Sequence, residues 1–127
     1  MNALQSLSAW TFCFVLLVGC HYQTSGPSQE VTKAEFERQY SAWHEECETI
    51  KFSSNTYDYI DLPSYRKIVV LGKPALPFLE EKMEGDKGPD FMLAFAVVEI
   101  CGWDRGEFRG GSDQEFRDRV LRKLRQK

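Results

Sequence analysis

Apolar side chains recur along residues 32–51 at the spacing of one helix face. They lie alternately four and three residues apart, at Phe36, Tyr40, Trp43, Cys47 and Ile50. This pattern predicts an amphipathic helix of roughly 20 residues that packs one face against a core. We expect the helix to begin at Thr32, because Thr32 and Glu35 have the spacing of a capping box.

The chain between residues 64 and 85 carries a second helical pattern. Gly72 is expected to end a helix there in the left-handed conformation, which costs glycine least. Pro74 and Pro77 stand where the first turn of the next helix is predicted, a place where proline sacrifices little hydrogen bonding. The buried stripe of that helix is predicted to be Leu76, Leu79 and Met83.

Residues 91–101 are apolar almost without interruption, and Glu99 is their only charge. A helix that is apolar all round lies in a membrane or at the centre of a bundle. Eleven residues are too few to cross a bilayer, so we expect a central helix, capped by Asp90 and ended by Gly102. Ser112–Glu115 form another capping box, which opens a final amphipathic helix.

Ser, Asn, Asp and Pro interrupt the pattern over residues 53–63. Thr56–Asp61 alternates as a short strand does, but no partner strand is evident, so we predict a loop. Tyr57 and Tyr59 could face a ligand there, or fold back onto the edge of the core, which is the commoner arrangement. The sequence therefore predicts an all-α domain of about five helices.

The amino-terminal segment follows a different pattern. Ala9–Gly19 is an apolar run of the length found in signal peptides, too short to cross a bilayer as a helix. It ends in Leu17-Val18-Gly19-Cys20, which resembles the lipobox of bacterial lipoproteins. In that family the peptide is cut between the residues matching Gly19 and Cys20, and the cysteine receives fatty chains such as palmitate.

The resemblance implies a signal peptide over residues 1–19, a lipidated tether over 20–29 and a helical domain over 30–127. Two fatty chains suffice for stable anchoring. The protein would thus be held by Cys20 on the periplasmic or extracellular face of a bacterial membrane. The outer membrane is favoured, because His21 rather than Asp follows the cysteine. Residues 1–10 lack the Lys or Arg usual in signal peptides.

Residues 65–102 resemble a HEAT-type helical repeat. Its order of helix, Leu-Gly, Ala-Leu-Pro-x-Leu, turn and Ala-rich helix is matched by YRKIVVLGKPALPFLEEKM and DFMLAFAVVEICG. The resemblance implies a small HEAT-like or armadillo-like bundle after the signal peptide, with a protein-binding or scaffolding role. About 40 residues are too few for a solenoid with an extended binding surface.

Composition is that of an ordinary one-domain globular protein, with 127 residues, 43% apolar and 28% charged. The net charge is −3, yet residues 112–127 hold 6 Lys and Arg against 3 Asp and Glu. We expect these basic side chains either to contact anionic lipid or an acidic partner, or to offset the helix dipole. They are Arg117, Arg119, Arg122, Lys123, Arg125 and Lys127. Nucleic acid is not expected, because no base-stacking motif accompanies the charge.

Cys47 and Cys101 remain after the predicted cleavage and lipidation. In an exported protein a single pair can form a disulfide. Both residues also lie on apolar faces, where a buried thiol acts as a small hydrophobic group. Both alternatives stay open at this point.

The stretch WHEECE, residues 43–48, holds the candidate chemistry. His44 and Cys47 are three residues apart beside three glutamates, so a small metal-dependent or cysteine hydrolase can be envisaged. The spacing is not that of His-Glu-x-x-His, and no serine-nucleophile or phosphate-loop motif is present. We therefore expect a binding module with no catalytic activity or cofactor. The alternatives are an enzyme centred on His44 and Cys47, or an inhibitor or immunity protein.

Overall fold

The computed structural model describes residues 27–85 and 87–126. The predicted signal peptide, the cleavage site at Gly19 and Cys20, and most of the predicted tether lie outside the described residues. Apart from the start of the first helix, the helices below belong to one compact unit, Thr32–Lys127.

Six α-helices form the described part of the chain, in which no strand is present. They are α1 (Pro27–Thr49), α2 (Thr56–Ile60), α3 (Pro63–Leu71), α4 (Leu76–Gly85), α5 (Leu93–Cys101) and α6 (Asp113–Arg125). Three 3₁₀ segments connect them, Lys73–Ala75, Gly88–Met92 and Arg105–Phe108. The prediction of an all-α domain is confirmed, while the HEAT-like arrangement stays a prediction.

The apolar face of α1 is confirmed, whereas its predicted start is wrong. Phe36, Trp43 and Cys47 are buried, and Tyr40 packs against the core. The helix begins at Pro27, so Thr32 lies inside it and cannot be its cap. Proline is favoured at such a first position because its fixed φ angle suits the helix. Residues 27–29 of the predicted tether are therefore helical.

The central position predicted for α5 is confirmed. Its buried residues are Leu93, Ala94, Ala96, Val97 and Val98, and α3, α4 and α6 all pack against it. The helix ends at Gly102 in the left-handed conformation, with φ 66° and ψ 28°. In the described part of the chain, no helix combines the length and the apolar character that crossing a membrane requires.

The segment predicted to be a loop contains the helix α2. The side chain of Asn55 caps it by accepting a hydrogen bond of 3.2 Å from the backbone nitrogen of Tyr57. The hydroxyl of Tyr59 donates to the carbonyl oxygens of Ile50 and Ser53, whereas Tyr57 is 61% exposed. Tyr59 therefore folds back onto the end of α1, and Tyr57 alone faces outward.

The capping box before α6 is formed as predicted. The backbone nitrogen of Glu115 donates to Ser112 Oγ at 3.3 Å, and that of Ser112 donates to Glu115 Oε2 at 2.8 Å. Val120, Leu121 and Leu124 are buried, so the helix turns its predicted apolar face inward.

Candidate functional site

A cleft of about 660 Å³ lies between α1, α4 and the segment that leads into α5. Its size falls within the roughly 300–1,000 Å³ of clefts that bind small ligands. The residues lining it are Tyr40, His44 and Glu48 of α1, Glu81, Lys82 and Gly85 of α4, and Lys87–Asp90. The first three are spaced by four residues, so one face of α1 forms a wall of the cleft.

Asp90 is the most deeply buried charged side chain at this cleft, at 1% exposure. The hydroxyl of Tyr40 donates to both of its carboxylate oxygens, at 2.9 and 2.8 Å. His44 Nε2 lies 2.7 Å from Asp90 Oδ1. When the imidazole of His44 carries its proton on Nε2, it donates to this carboxylate oxygen. Asp90 thus ties the segment before α5 to two successive turns of α1.

This role corrects the prediction that Asp90 caps the following helix. Asp90 lies inside the 3₁₀ segment Gly88–Met92, and α5 begins beyond it with no side-chain cap. The same segment is also fixed by the hydroxyl of Tyr65, which donates to the carbonyl oxygen of Met92 at 2.8 Å. The segment Gly88–Met92 forms the floor of the cleft. Hydrogen bonds from Tyr40 in α1 and Tyr65 in α3 hold this floor in place.

The ring of Tyr40 lies among polar and aromatic neighbours. The imidazole of His44 is 4.4 Å from it, centroid to centroid, and Lys82 Nζ stands 4.5 Å from its centroid. Lys82 also lies 3.2 Å from Glu37, which holds the ammonium group over the ring. Burial, together with the hydrogen bond to Asp90, raises the pKa of the Tyr40 hydroxyl well above its usual range. The hydroxyl therefore remains a donor to Asp90 at physiological pH.

Cys47 does not line the cleft with His44, as the alternative of an enzyme centred on these two residues would require. It is buried, and this burial, with smaller contributions from the charges of Glu46 and Glu48, raises the pKa of its thiol to about 12. A protonated thiol is neither a good nucleophile nor a metal ligand. The imidazole of His44 is instead directed to Asp90, 46 positions away in the chain.

Two further expectations concern metals and disulfides. Among residues 27–85 and 87–126, no group of three or more His, Cys, Asp or Glu side chains is placed to hold a metal ion. Cys47 and Cys101 are not bonded to each other. Of the two alternatives for this pair, the structure therefore has the one without a bond between Cys47 and Cys101.

The basic side chains of α6 are mostly engaged within the domain. Arg117 forms an ion pair with Asp118, Lys123 with Glu107, and Arg125 with Glu80 and Glu84. Arg119 donates hydrogen bonds to the carbonyl oxygens of residues 108–110. Arg122 is exposed and forms no ion pair with any other described residue. Lys127 lies outside the described residues. Three of the six predicted side chains, Arg117, Lys123 and Arg125, are thus paired with acidic side chains of the chain itself.

Comparisons with protein-family models, with curated proteins and with solved structures give no match for this chain. The site is therefore interpreted from its own chemistry. Sequence reasoning missed the contact of Tyr40 with Asp90, since the two residues are 50 positions apart. One signal was present: Asp90 is an acidic residue directly before a segment that is otherwise apolar.

Proposed function

We propose that this protein is a lipid-anchored binding module of the bacterial cell envelope, and that the cleft beside Asp90 is its recognition site for a partner protein. The observation that carries the proposal is the hydrogen-bonded floor of the cleft. The carboxylate of Asp90 is occupied by Tyr40 and His44, and the nearby thiol of Cys47 is protonated. These groups support a fixed surface and supply no activated nucleophile within the described residues.

The rim of the cleft differs from its floor. Glu48, Glu81 and Lys87 line the opening with exposed charged side chains of both signs. A partner that enters the cleft would meet a floor that is already ordered, so little conformational entropy is lost on binding. Exposed charges at the edge then contribute mainly to the rate and specificity of association.

The membrane anchor is tested by substitution of Cys20. In cells grown with labelled palmitate, the wild-type protein should be labelled and should partition into the detergent phase. The Cys20→Ala variant should do neither, because it lacks the sulfur that carries the lipid. Equal partitioning of the two proteins would contradict the proposed anchor.

The recognition site is tested by a photo-crosslinking amino acid introduced at Glu81, on the cleft rim, in living cells. A discrete crosslinked species should form there and not at Asp113, an exposed position at the start of α6. Adding Asp90→Asn should weaken the crosslink, because Asn cannot accept from Tyr40 and His44 as a carboxylate does. Identical products from both positions would show that the cleft is not the site.

A hydrolytic function is the second candidate, favoured by the contact of 2.7 Å between His44 and Asp90. A carboxylate that orients an imidazole can make it a general base. An activity assay on the purified protein separates the candidates, since hydrolysis of ester or peptide substrates that is lost in His44→Ala would favour the enzyme. The inhibitor or immunity role stays a prediction without a structural observation behind it.

A further inference from the structure

We propose that the outer surface at the end of α3, formed by Lys67, Val70 and Lys73, docks the domain onto anionic lipid headgroups. We call this surface the α3 face. The inference rests on the proposed lipid anchor, and it adds a second, reversible membrane contact that would orient the domain on the bilayer.

The α3 face combines an exposed apolar side chain, Val70, with one lysine three residues before it and another three residues after it. Val70 is 84% exposed, although the opposite side of the same helix buries Tyr65 and Ile68. Lys67 precedes Val70 by three residues, which places both on one side of the helix. Lys73 is exposed and follows three residues later, so the chain keeps it within about 10 Å of Val70.

The two lysines carry charge that the domain balances poorly. Neither forms an ion pair with another described residue. Lys67 acts on Glu35 only at a distance, and Glu35 already accepts hydrogen bonds from Arg38 and Gln39. By contrast, Arg66 next to Lys67 is held by Glu99 through two hydrogen bonds of 2.9 and 2.6 Å.

Two observations favour a lipid surface as the partner of the α3 face: the positive charge of its lysines and the short chain between the proposed anchor and the domain. An aliphatic side chain between lysines suits the boundary of headgroups and acyl chains, where the lysine stems cover apolar surface and their ammonium groups meet phosphate. One exposed valine would be unremarkable by itself. Pro27 follows Cys20 by seven positions, which an extended chain spans in at most about 25 Å. An anchored domain therefore stays within reach of the bilayer.

Lysine acetylation read by mass spectrometry tests the contact directly. The acylated protein is reconstituted in vesicles of phosphatidylglycerol and phosphatidylcholine, in vesicles of phosphatidylcholine alone, and in detergent. In the anionic vesicles Lys67 and Lys73 should react about tenfold more slowly than in detergent, and 0.5 M salt should remove the protection. Lys51 and Lys87, which are exposed elsewhere, should react equally in all three. Unchanged rates at Lys67 and Lys73 would overturn the proposal.

Matched single variants identify the face. Lys73→Glu should reduce the protection of Lys67 in anionic vesicles, and Lys67→Glu should reduce that of Lys73, so each variant is read at the lysine that remains. Arg109→Glu and Arg122→Glu, made singly, change the net charge by the same amount on exposed side chains elsewhere and should leave the protection of Lys67 and Lys73 intact. Loss of protection only in the arginine variants would assign docking to the carboxyl-terminal region. A protein partner at the α3 face is indicated if protection appears only in native membranes and not in lipid vesicles.

A second way of attaching the protein to the vesicles tests the α3 face independently of the proposed lipid anchor. The Cys20→Ser chain starting at residue 20, with a hexahistidine tag before it, is held on nickel-chelating lipid in the same vesicles. If Cys20 is not acylated but the tagged chain shows the protection, the proposed anchor fails and the docking face stands. If the acylated protein floats with vesicles and neither protein shows protection, the anchor stands and the docking face fails.

Discussion

Asp90 and Ser112 stand in equivalent places in the sequence, since each precedes an amphipathic or apolar helix and each is predicted to cap it. Ser112 does so, through two hydrogen bonds with Glu115, three residues away. Asp90 instead accepts from Tyr40 and forms a hydrogen bond with His44, which lie 50 and 46 positions earlier. Ser112 is exposed, whereas Asp90 is buried.

The difference teaches which sequence signals can be trusted. A cap at the surface has no other polar group competing for its side chain, so its local pattern decides its partner. A buried carboxylate is stable only where donors are close to its oxygens, because burying a charge without hydrogen bonds costs folding free energy. Tertiary contacts therefore override the local pattern at Asp90 but not at Ser112.

The largest effect is expected at Asp90. Asp90→Ala leaves the hydroxyl of Tyr40 and the imidazole of His44 without their acceptor, and it should lower the free energy of unfolding by about 3 kcal/mol. Urea unfolding followed by circular dichroism measures this loss. The control is Asp104→Ala, which removes an exposed carboxylate that caps a short 3₁₀ segment at 3.0 Å from Gly106. A loss at Asp90 no larger than at Asp104 would contradict our account.

A smaller loss is expected for Tyr40→Phe. The change removes one donor to Asp90 and keeps the ring beside His44 and Lys82, so the free energy of unfolding should fall by about 1–2 kcal/mol. In a double-mutant cycle with Asp90→Asn, the two losses should be less than additive, since both remove the same hydrogen bond. Additive losses would mean that the hydroxyl and the carboxylate act independently.

Local periodicity explains how much of the fold was predictable. The apolar spacing of α1 continues over several turns, so its inward face was predicted correctly at Phe36, Tyr40, Trp43 and Cys47, whereas Ile50 lies beyond the end of the helix. The helix α2 was missed because its five residues are too few to show a helical period. Its only sequence signal is the single capping residue Asn55. The start of α1 was misplaced because Thr32 and Glu35 match a capping box by composition, while the helix already begins at Pro27.

The candidate site was less predictable than the fold. His44 was selected from the sequence, but it was paired with Cys47 on the same helix. The burial of Cys47 and the approach of Asp90 depend on how distant segments pack, which no spacing within α1 encodes. The same holds for Arg125, whose acidic partners Glu80 and Glu84 belong to α4.

At Ser112 the comparison predicts a modest and local effect. Ser112→Ala removes the acceptor for the backbone nitrogen of Glu115 and should cost about 1 kcal/mol of unfolding free energy. Ser112→Asp should restore most of it, because Asp is an equally good cap. Chemical shifts in NMR spectra should change at the start of α6 and stay constant at Tyr40 and His44. Shifts at the cleft would show that the two regions are coupled.

The smallest effect on stability is expected at Glu99. This residue has a partner distant in the chain but is not buried, so it shows which of the two properties matters. Its partner Arg66 is 33 positions away, so this contact is long-range as those of Asp90 are, but both side chains are partly exposed. Hydrogen bonds from the Arg66 guanidinium, aided by its charge, lower the pKa of the Glu99 carboxyl. A lowered pKa in the folded state means that the pair stabilises the protein above the ordinary glutamate pKa of about 4.3. That stabilisation is lost as the pH falls through the lowered value.

Solvent screens this pair, so its contribution should stay below about 1 kcal/mol. NMR titration should find the Glu99 midpoint below the ordinary glutamate range in the wild type and closer to it in Arg66→Met. High salt should reduce the difference. If Arg66→Met instead cost as much stability as Asp90→Ala, sequence separation of the partners would matter more than burial. The contrast between Asp90 and Ser112 would then need another explanation, because Glu99 shares the long range of the first and the exposure of the second.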